Sequence, residues 1–146
     1  MIAGESGHTR CVMGRLEAGE ELVAALRELA RIERIDAGFV RGQGTVAAAR
    51  LSRYDPAVRA YVAAASLDGP AELVALQGSV SLEEGTPSPW LWAVLAPPGG
   101  APVAGRLVAA TVVHVEFALD VLDDGDLERR PDGATGLPLW RPPRRR

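Results

Sequence analysis

The chain has 146 residues, of which 47% are hydrophobic and 24% are charged, and its formal net charge is −3. This balance is typical of one globular domain and excludes a disordered chain, because the apolar content is sufficient to form a buried core. No apolar run approaches the roughly 18–20 residues of a membrane-spanning helix, and residues 1–10 lack the apolar segment of a secretion signal. The single cysteine excludes a disulfide framework within the chain and a zinc site of several cysteines, so a cytoplasmic location is expected.

The first predicted element is a strand at residues 10–16, which follows a small and polar N-terminus (residues 1–8) expected to be flexible. The alternation of a strand places Cys11 and Met13 on the same face. We expect Cys11 to pack in the core as an inert, small hydrophobic side chain.

The clearest element is an amphipathic helix at about residues 20–34. Leu22, Leu26 and Leu29 recur at positions i, i+4 and i+7, which is the spacing of one helix face. The first turn is acidic, as the positive end of a helix dipole favours, and Gly38 follows the helix closely.

After residue 37 the hydrophobic period changes to two, which predicts strands separated by turns rich in proline and glycine. The predicted strands span residues 39–43, 46–54, 58–65, 72–82, 90–96, 103–109 and 112–121. One helix beside this run of strands predicts an α+β fold with a mainly antiparallel sheet. Beyond Asp120 the chain is acidic and then rich in proline, glycine and arginine, which predicts a loop and a tail.

Four segments, in this order, resemble the PPC ("plants and prokaryotes conserved") domain family, which follows AT-hook motifs in plants and usually stands alone in prokaryotes. They are LEAGEELVAALRELA (16–30), VRGQGTVAAARLSRYD (40–55), GPAELVALQGSVSLEEG (69–85) and ATGLPLW (134–140). The third segment is similar to the family signature G-P-x-E-I-L-S-L-S-G, with Glu72, Leu76 and Gly78 in register. The resemblance implies a single sheet-plus-helix domain at residues 9–140 that forms a homotrimer, followed by a basic tail at residues 141–146.

The resemblance also implies a metal site that this sequence does not repeat. Many prokaryotic members carry P-x-x-H-x-H on one strand and G-G-H at the start of the next. Two side chains at i and i+2 project from one face of a strand, and a third histidine would complete a three-histidine site with an open position. Here Trp90 and Trp92 stand in place of the two strand histidines, and Arg106 stands in place of the third. The sequence therefore predicts neither a bound metal ion nor another cofactor.

Trp90, Trp92 and Arg106 are expected to meet on one face, where a guanidinium group over an indole gains about 0.5–2 kcal/mol. One interpretation is a structural plug that fills the position of the metal site. The other is a pocket for a planar or anionic small ligand, with Arg106 as its charged anchor.

Three further residues are candidates for a ligand site or an interface. His114 and Glu116 share a strand face, so they can form a general base and its orienting carboxylate, or a surface or interface pair. Glu72 lies in the signature strand, where a buried or interface hydrogen bond is the alternative to catalysis. No catalytic residue is assigned from these patterns.

The remaining signal concerns nucleic acid. Four of the 16 arginines lie in the last six residues, while residues 1–140 carry 12 arginines and 19 acidic residues. The four are Arg141, Arg144, Arg145 and Arg146. The tail lacks the Arg-Gly-Arg-Pro centre of an AT-hook, but it can contact DNA phosphates without reading sequence. The alternative is a solvated terminus, because the acidic body of the protein repels DNA.

Taken together, these patterns favour a non-enzymatic, homotrimeric PPC-domain protein, with a DNA-associated regulatory role implied by the family alone. The alternative is a small-molecule-binding protein or a metal-independent enzyme that uses Trp90, Trp92 and Arg106. No membrane partner is expected.

Overall fold

The structure, a computed structural model, describes residues 9–122 and 127–141. The predicted flexible N-terminus (residues 1–8) lies outside the described residues, as do Arg144, Arg145 and Arg146 of the predicted tail. The described ranges contain one helix, α1 (Leu22–Ile32), and the following strands in chain order. They are β1 (Thr9–Leu16), β2 (Ala37–Asp55), β3 (Ala60–Leu67), β4 (Ala71–Glu83), β5 (Thr86–Ala96), β6 (Val103–Leu122), β7 (Glu128–Pro131) and β8 (Pro138–Trp140). The predicted α+β fold with a mainly antiparallel sheet is confirmed.

Helix α1 is two residues shorter at each end than the hydrophobic spacing predicts, and its caps explain both limits. Glu21 has an extended backbone, and its carboxylate accepts hydrogen bonds from the N–H groups of Val23 (3.2 Å) and Ala24 (2.8 Å). It is therefore the N-cap rather than a helical residue. At the other end Arg34 adopts a φ of 53°, which a right-handed helix cannot include. The helix has 11 residues, and no helix of the described ranges is long and apolar enough to span a membrane.

The core lies between α1 and one face of the sheet, and its side chains are almost all aliphatic. Leu22, Leu26 and Ala30 of the helix have no exposed surface. They pack in one cluster with buried residues of every strand from β1 to β6 except the edge strand β3, whose contributions are only partly buried. The predicted helix face is thus the one that the sheet covers.

Strands β2 and β6 each run through a position where the sequence predicts a break. Register shifts at Thr45/Val46 and Val46/Ala48 let β2 bend without ending, while β6 continues opposite it. Because β2 pairs with both β4 and β6, and β5 also pairs with both, these four strands form a closed ring of neighbours. The sheet curves around the core for this reason.

Strand β1 lies at an edge of the sheet, where it pairs with β6 alone. Cys11 is exposed rather than buried, so the prediction of a core cysteine is wrong. Both faces of this strand carry apolar residues, and the face with Cys11 and Met13 is the one turned away from the helix.

The sequence predicts only a loop and a tail for the end of the chain, but the structure has two short strands after residue 127. Strand β7 pairs in parallel with β4 at Leu82 and Glu83, and β8 pairs with β7. The turn between them is closed by Asp132, whose carboxylate accepts hydrogen bonds from the N–H (2.9 Å) and the hydroxyl (2.7 Å) of Thr135. These strands have four and three residues, so no alternating pattern can develop in them.

Candidate functional site

Strand β5 presents different chemistry on its two faces. Leu91 is 1% exposed and packs in the aliphatic core, whereas Trp90 is buried, at 5% exposure, outside that core. Trp90 belongs to a group that we call the aromatic–arginine cluster. Its members are Tyr61, Trp90, Arg106, Arg129 and Trp140.

The cluster is a stack of alternating rings and guanidinium groups. The guanidinium carbon of Arg106 lies 3.8 Å from the centre of the Trp90 ring and 4.7 Å from that of Tyr61. The guanidinium carbon of Arg129 lies 4.3 Å from the centre of the Trp90 ring and 5.3 Å from that of Trp140. One indole face cannot hold two guanidinium groups at these distances, so Trp90 lies between Arg106 and Arg129.

Arg129 is fixed by neutral oxygen atoms. Its Nε donates to Ser81 Oγ (2.8 Å), one terminal nitrogen donates to Ser79 Oγ (3.1 Å), and the other donates to the carbonyl of Pro138 (3.2 Å). Ser79 and Ser81 are buried on β4, so β7 must cover this part of the sheet for Arg129 to reach them. The sequence does not single out Arg129, because its strand has no hydrophobic pattern.

The cluster holds more positive than negative charge. Burial lowers the pKa of Arg129 to about 10, and the nearby charge of Arg106 adds to this effect. Burial also lowers the pKa of Arg106. Glu83 opposes both shifts, and its carboxylate accepts hydrogen bonds from Trp90 Nε1 (3.4 Å) and Ser88 Oγ (3.0 Å). Within the described ranges neither Arg106 nor Arg129 forms an ion pair.

Two polar atoms beside the stack are buried without a hydrogen-bond partner in the described structure. They are Nε of Arg106 and Oγ of Ser52, which is the register partner of Arg106 on β2. The contacts that the structure describes for Arg106 are therefore with the rings of Tyr61 and Trp90.

The cluster forms one wall of an open cleft of about 680 Å³, which we call the aromatic cleft. Its lining includes Phe39, Gln77, Trp92, Arg129, Leu139 and Trp140. Trp92 is 37% exposed and tilts against Trp90 at 6.3 Å between ring centres, and Phe39 meets Trp140 edge to face at 6.0 Å. The structure thus brings Trp90 and Arg106 into a packed stack, while Trp92 lies in the cleft wall and Arg106 does not line the cleft.

Gly78 allows the strands to meet closely at this point. A Cβ atom on Gly78 would lie 2.0 Å from the carbonyl oxygen of Trp90, which no side chain can tolerate. The register partner of Gly78 on β5 is Leu91, the residue after Trp90. Glycine at position 78 therefore fixes the distance between β4 and the strand that carries both tryptophans.

The predicted residues Glu72, His114 and Glu116 meet at a second cleft of about 490 Å³. Thr45 connects two of them: its hydroxyl donates to Glu72 Oε1 at 3.3 Å and lies 3.2 Å from Nε2 of His114. Glu72 is exposed in the single chain, so its hydrogen bond with Thr45 is not buried there, and the interface alternative for this residue stays a prediction. Sequence reasoning misses Thr45 because only the strand register places it between β4 and β6.

Arg141 is the one arginine of the predicted tail that the structure describes. Its side chain is exposed, and its backbone N–H donates to the carbonyl of Glu128 at 2.9 Å. The chain at Arg141 is therefore still attached to strand β7.

The profile of the Plants and Prokaryotes Conserved (PCC) domain matches residues 3–122. The chain belongs to this family. This is the family, also written PPC, that the sequence motifs resemble, so that prediction is confirmed. No curated protein matches the chain significantly.

Solved structures share the fold of this PCC domain. The chain is 29% identical to a PPC protein of Pyrococcus horikoshii, with a TM-score of 0.90 and 97% of each chain covered. It is also 29% identical to a metal-containing protein of Archaeoglobus fulgidus, with a TM-score of 0.86 over 96% of this chain and 97% of the other. A protein of Bacteroides thetaiotaomicron called a "putative DNA binding protein" has the same fold at 20% identity, with a TM-score of 0.82 and 95% of each chain covered.

The residues that stand where the family resemblance implies three histidines do not fit a metal ion. An indole N–H and a guanidinium group offer no lone pair to a metal, so Trp90, Trp92 and Arg106 cannot ligate one. The described ranges also contain no group of three histidine, cysteine or acidic side chains that could hold an ion. The chemistry of this position is therefore the stacking of rings and cations.

Proposed function

We propose that this PCC-domain protein is a non-enzymatic, homotrimeric module that works in the cytoplasm. The main support for a trimer is the outward face of the sheet, which lies opposite the helix. One row of register partners on this face runs from Met13 on β1 through Arg41 on β2 to Trp92 on β5. Met13 is 77% exposed and Phe39 is 45% exposed on the same face. Large apolar side chains exposed together on one face favour burial against another subunit.

The chemistry of the cluster supports a non-enzymatic role. Trp90 and Arg106 fill the position of the family's metal site with packed side chains, which stabilise structure and offer no nucleophile or general base. A symmetric trimer would place three copies of the outward face around one axis, as the family resemblance implies. The exposed thiol of Cys11 suits a reducing compartment.

The oligomeric state tests the assembly proposal directly. Sedimentation equilibrium of the full chain should give about three times the 15.4 kDa of one subunit. Met13→Glu should lower this mass, because a carboxylate would be buried without a partner in the interface. Val58→Glu is the matched control, since Val58 is an apolar residue with 62% exposure in the turn between β2 and β3. A wild-type protein that is monomeric at tens of micromolar would refute the proposal.

Association with DNA is the second candidate, favoured by the names given to the structural neighbours from Bacteroides thetaiotaomicron and Ralstonia eutropha. The basic residues 141–146 are the segment of this chain that suits it. Three tails on a trimer would act together on one duplex, so weak phosphate contacts would add.

Salt dependence tests the DNA candidate. Replacing Arg141, Arg144, Arg145 and Arg146 with glutamine should abolish binding to a random duplex in an anisotropy assay. The wild-type affinity should fall with salt, by a slope of about 0.9 on logarithmic axes for each phosphate contacted. A matched control replaces four exposed arginines of the body, Arg27, Arg31, Arg50 and Arg53. Affinity that survives the tail substitutions, or does not respond to salt, would exclude the tail as the DNA-binding segment.

A further inference from the structure

The aromatic cleft has the size and the lining of a small-molecule site. Its volume of about 680 Å³ lies within the range of roughly 300–1,000 Å³ that is typical of ligand pockets. Phe39, Trp92 and Trp140 supply flat apolar surface, and the amide of Gln77 adds a group that can both donate and accept hydrogen bonds. A planar ring is the shape that such walls contact best.

The charge in the cleft selects the class of ligand. A guanidinium group has five N–H donors, and Arg129 uses three of them on the neutral oxygens of Ser79, Ser81 and Pro138. Two donors remain on a cation that forms no ion pair within the described ranges. The other arginine of the lining, Arg41, is already paired with Asp120. Arg129 is therefore the cation that an anion in the cleft would meet.

The second arginine of the stack strengthens this preference. Arg106 lies on the far side of Trp90 from Arg129. The negative charge of Glu83 raises the pKa of both arginines, against the lowering that burial causes. A buried cation that is incompletely neutralised attracts a negative charge more strongly than an exposed one does, because less water screens it. A neutral ligand would gain the ring contacts but not this attraction.

We propose that the aromatic cleft binds a planar aromatic anion, with its ring against Trp92 and Trp140 and its carboxylate on Arg129. This site differs from the pocket that the sequence predicts, because its charged anchor is Arg129 and Arg106 acts from behind Trp90. The cleft shares Phe39 and Trp92 with the outward face that we propose as the subunit interface, so the two proposals concern adjoining surfaces. The oligomeric state of the protein used in the titration is therefore measured by sedimentation, so that failure of the trimer and failure of the ligand site are told apart.

The test compares one anion with a neutral molecule of the same shape. Isothermal titration of the full chain with 2-naphthoate and with 2-naphthamide measures the contribution of the charge. We expect 2-naphthoate to bind at least about tenfold more tightly, since a charge-assisted hydrogen bond to a buried guanidinium is worth this much or more. Equal affinities would show a merely apolar groove, and the absence of binding by both would show no site; either result overturns the proposal.

Two variants locate the binding. Trp92→Ala should weaken the binding of both probes by a similar factor, because it removes ring contact and leaves Arg129 in place. Arg129→Gln should remove the preference for the anion, whereas Arg130→Gln, at the exposed neighbouring residue, should keep it. If Arg129→Gln does not fold by far-UV circular dichroism, Arg129→Lys replaces it, and its preference should fall because lysine cannot bind the two oxygens in parallel. A preference unchanged in the Arg129 variant would place the anion elsewhere.

Discussion

The two faces of strand β5 form two interiors that are stabilised in different ways. On one face Leu91 joins a core of leucine, valine and alanine side chains beneath helix α1. On the other face Trp90 joins the aromatic–arginine cluster beneath strands β7 and β8. Phe117 belongs to the first interior. The other six of the seven aromatic residues lie in or beside the second: Phe39, Tyr54, Tyr61, Trp90, Trp92 and Trp140.

The difference lies in what each interior requires of its side chains. The aliphatic core gains stability from apolar area and close packing, which have no preferred direction. The cluster depends on the orientation of rings and cations, and on hydrogen bonds that hold Arg129. A volume change should therefore affect the first interior, whereas a change of charge or geometry should affect the second.

The largest expected effect comes from removing the residue at the centre of each interior. Trp90→Ala should lower the free energy of unfolding by about 3–5 kcal/mol, because it leaves a cavity between two cations. Leu91→Ala should cost about 2–5 kcal/mol on the aliphatic side. Urea unfolding followed by far-UV circular dichroism measures both. If Trp90→Ala lowers the free energy of unfolding by less than about 1 kcal/mol, the cluster contributes little to stability and is not a second interior comparable with the aliphatic core.

A smaller effect is expected at the cap that joins α1 to the sheet. Besides capping the helix, Glu21 accepts a hydrogen bond from the N–H of Ala110 on β6 (3.0 Å). Glu21→Ala should cost about 0.5–2 kcal/mol in thermal unfolding, because backbone donors lose their acceptor. Glu28→Ala is the control: it removes an exposed ion pair with Arg31, which water screens, and should leave the melting temperature nearly unchanged. Equal losses in the two variants would mean that the cap adds nothing beyond a surface charge.

Acid should loosen the cluster before it loosens the aliphatic core. Hydrogen bonds from the side chain and backbone of Thr135 lower the pKa of Asp132 below its ordinary value of 3.8. The stabilisation is therefore complete above that value and is lost as the pH falls through the lowered pKa. All three tryptophans lie in or beside the cluster, so their fluorescence reports this interior, while ellipticity at 222 nm reports the helix.

We expect the fluorescence to change at a higher pH than the ellipticity during acid titration. Asp132→Asn should remove this separation, since an amide oxygen still accepts the hydrogen bonds but does not titrate in this range. Coincident transitions in the wild type would indicate that acid opens both interiors as one unit.

The aliphatic interior could be predicted from the sequence, whereas the second could be predicted only in part. The leucine spacing identifies α1, and alternation identifies most strands, because both patterns arise from burial on one face. The meeting of Trp90 and Arg106 follows from strand alternation together with the family resemblance. Arg129 could not be found in this way, since β7 is too short for a pattern and exists through its pairing with β4.

Two other predictions from the sequence, the core position of Cys11 and the breaks in strands β2 and β6, are wrong for related reasons. Strand β1 is apolar on both faces, so alternation alone does not say which face the helix covers, and Cys11 lies on the exposed face instead of in the core. Strands β2 and β6 continue through their predicted breaks because bulges absorb the irregular residues. Thr45 is close to His114 only through this register, which no local pattern contains.

The order in which the stack is built along the chain has a consequence for biosynthesis. Its members come from β3, β5, β6, β7 and β8, so the stack assembles residues that are spread along the chain from Tyr61 to Trp140. During translation Tyr61, Trp90 and Arg106 leave the ribosome first, and Trp90 can be covered on one side while its other side is still exposed. Arg129 and Trp140 emerge later and cover that side. The nascent chain thus carries an exposed indole for a time, which makes this stage of synthesis the one at which chaperone contact would matter most.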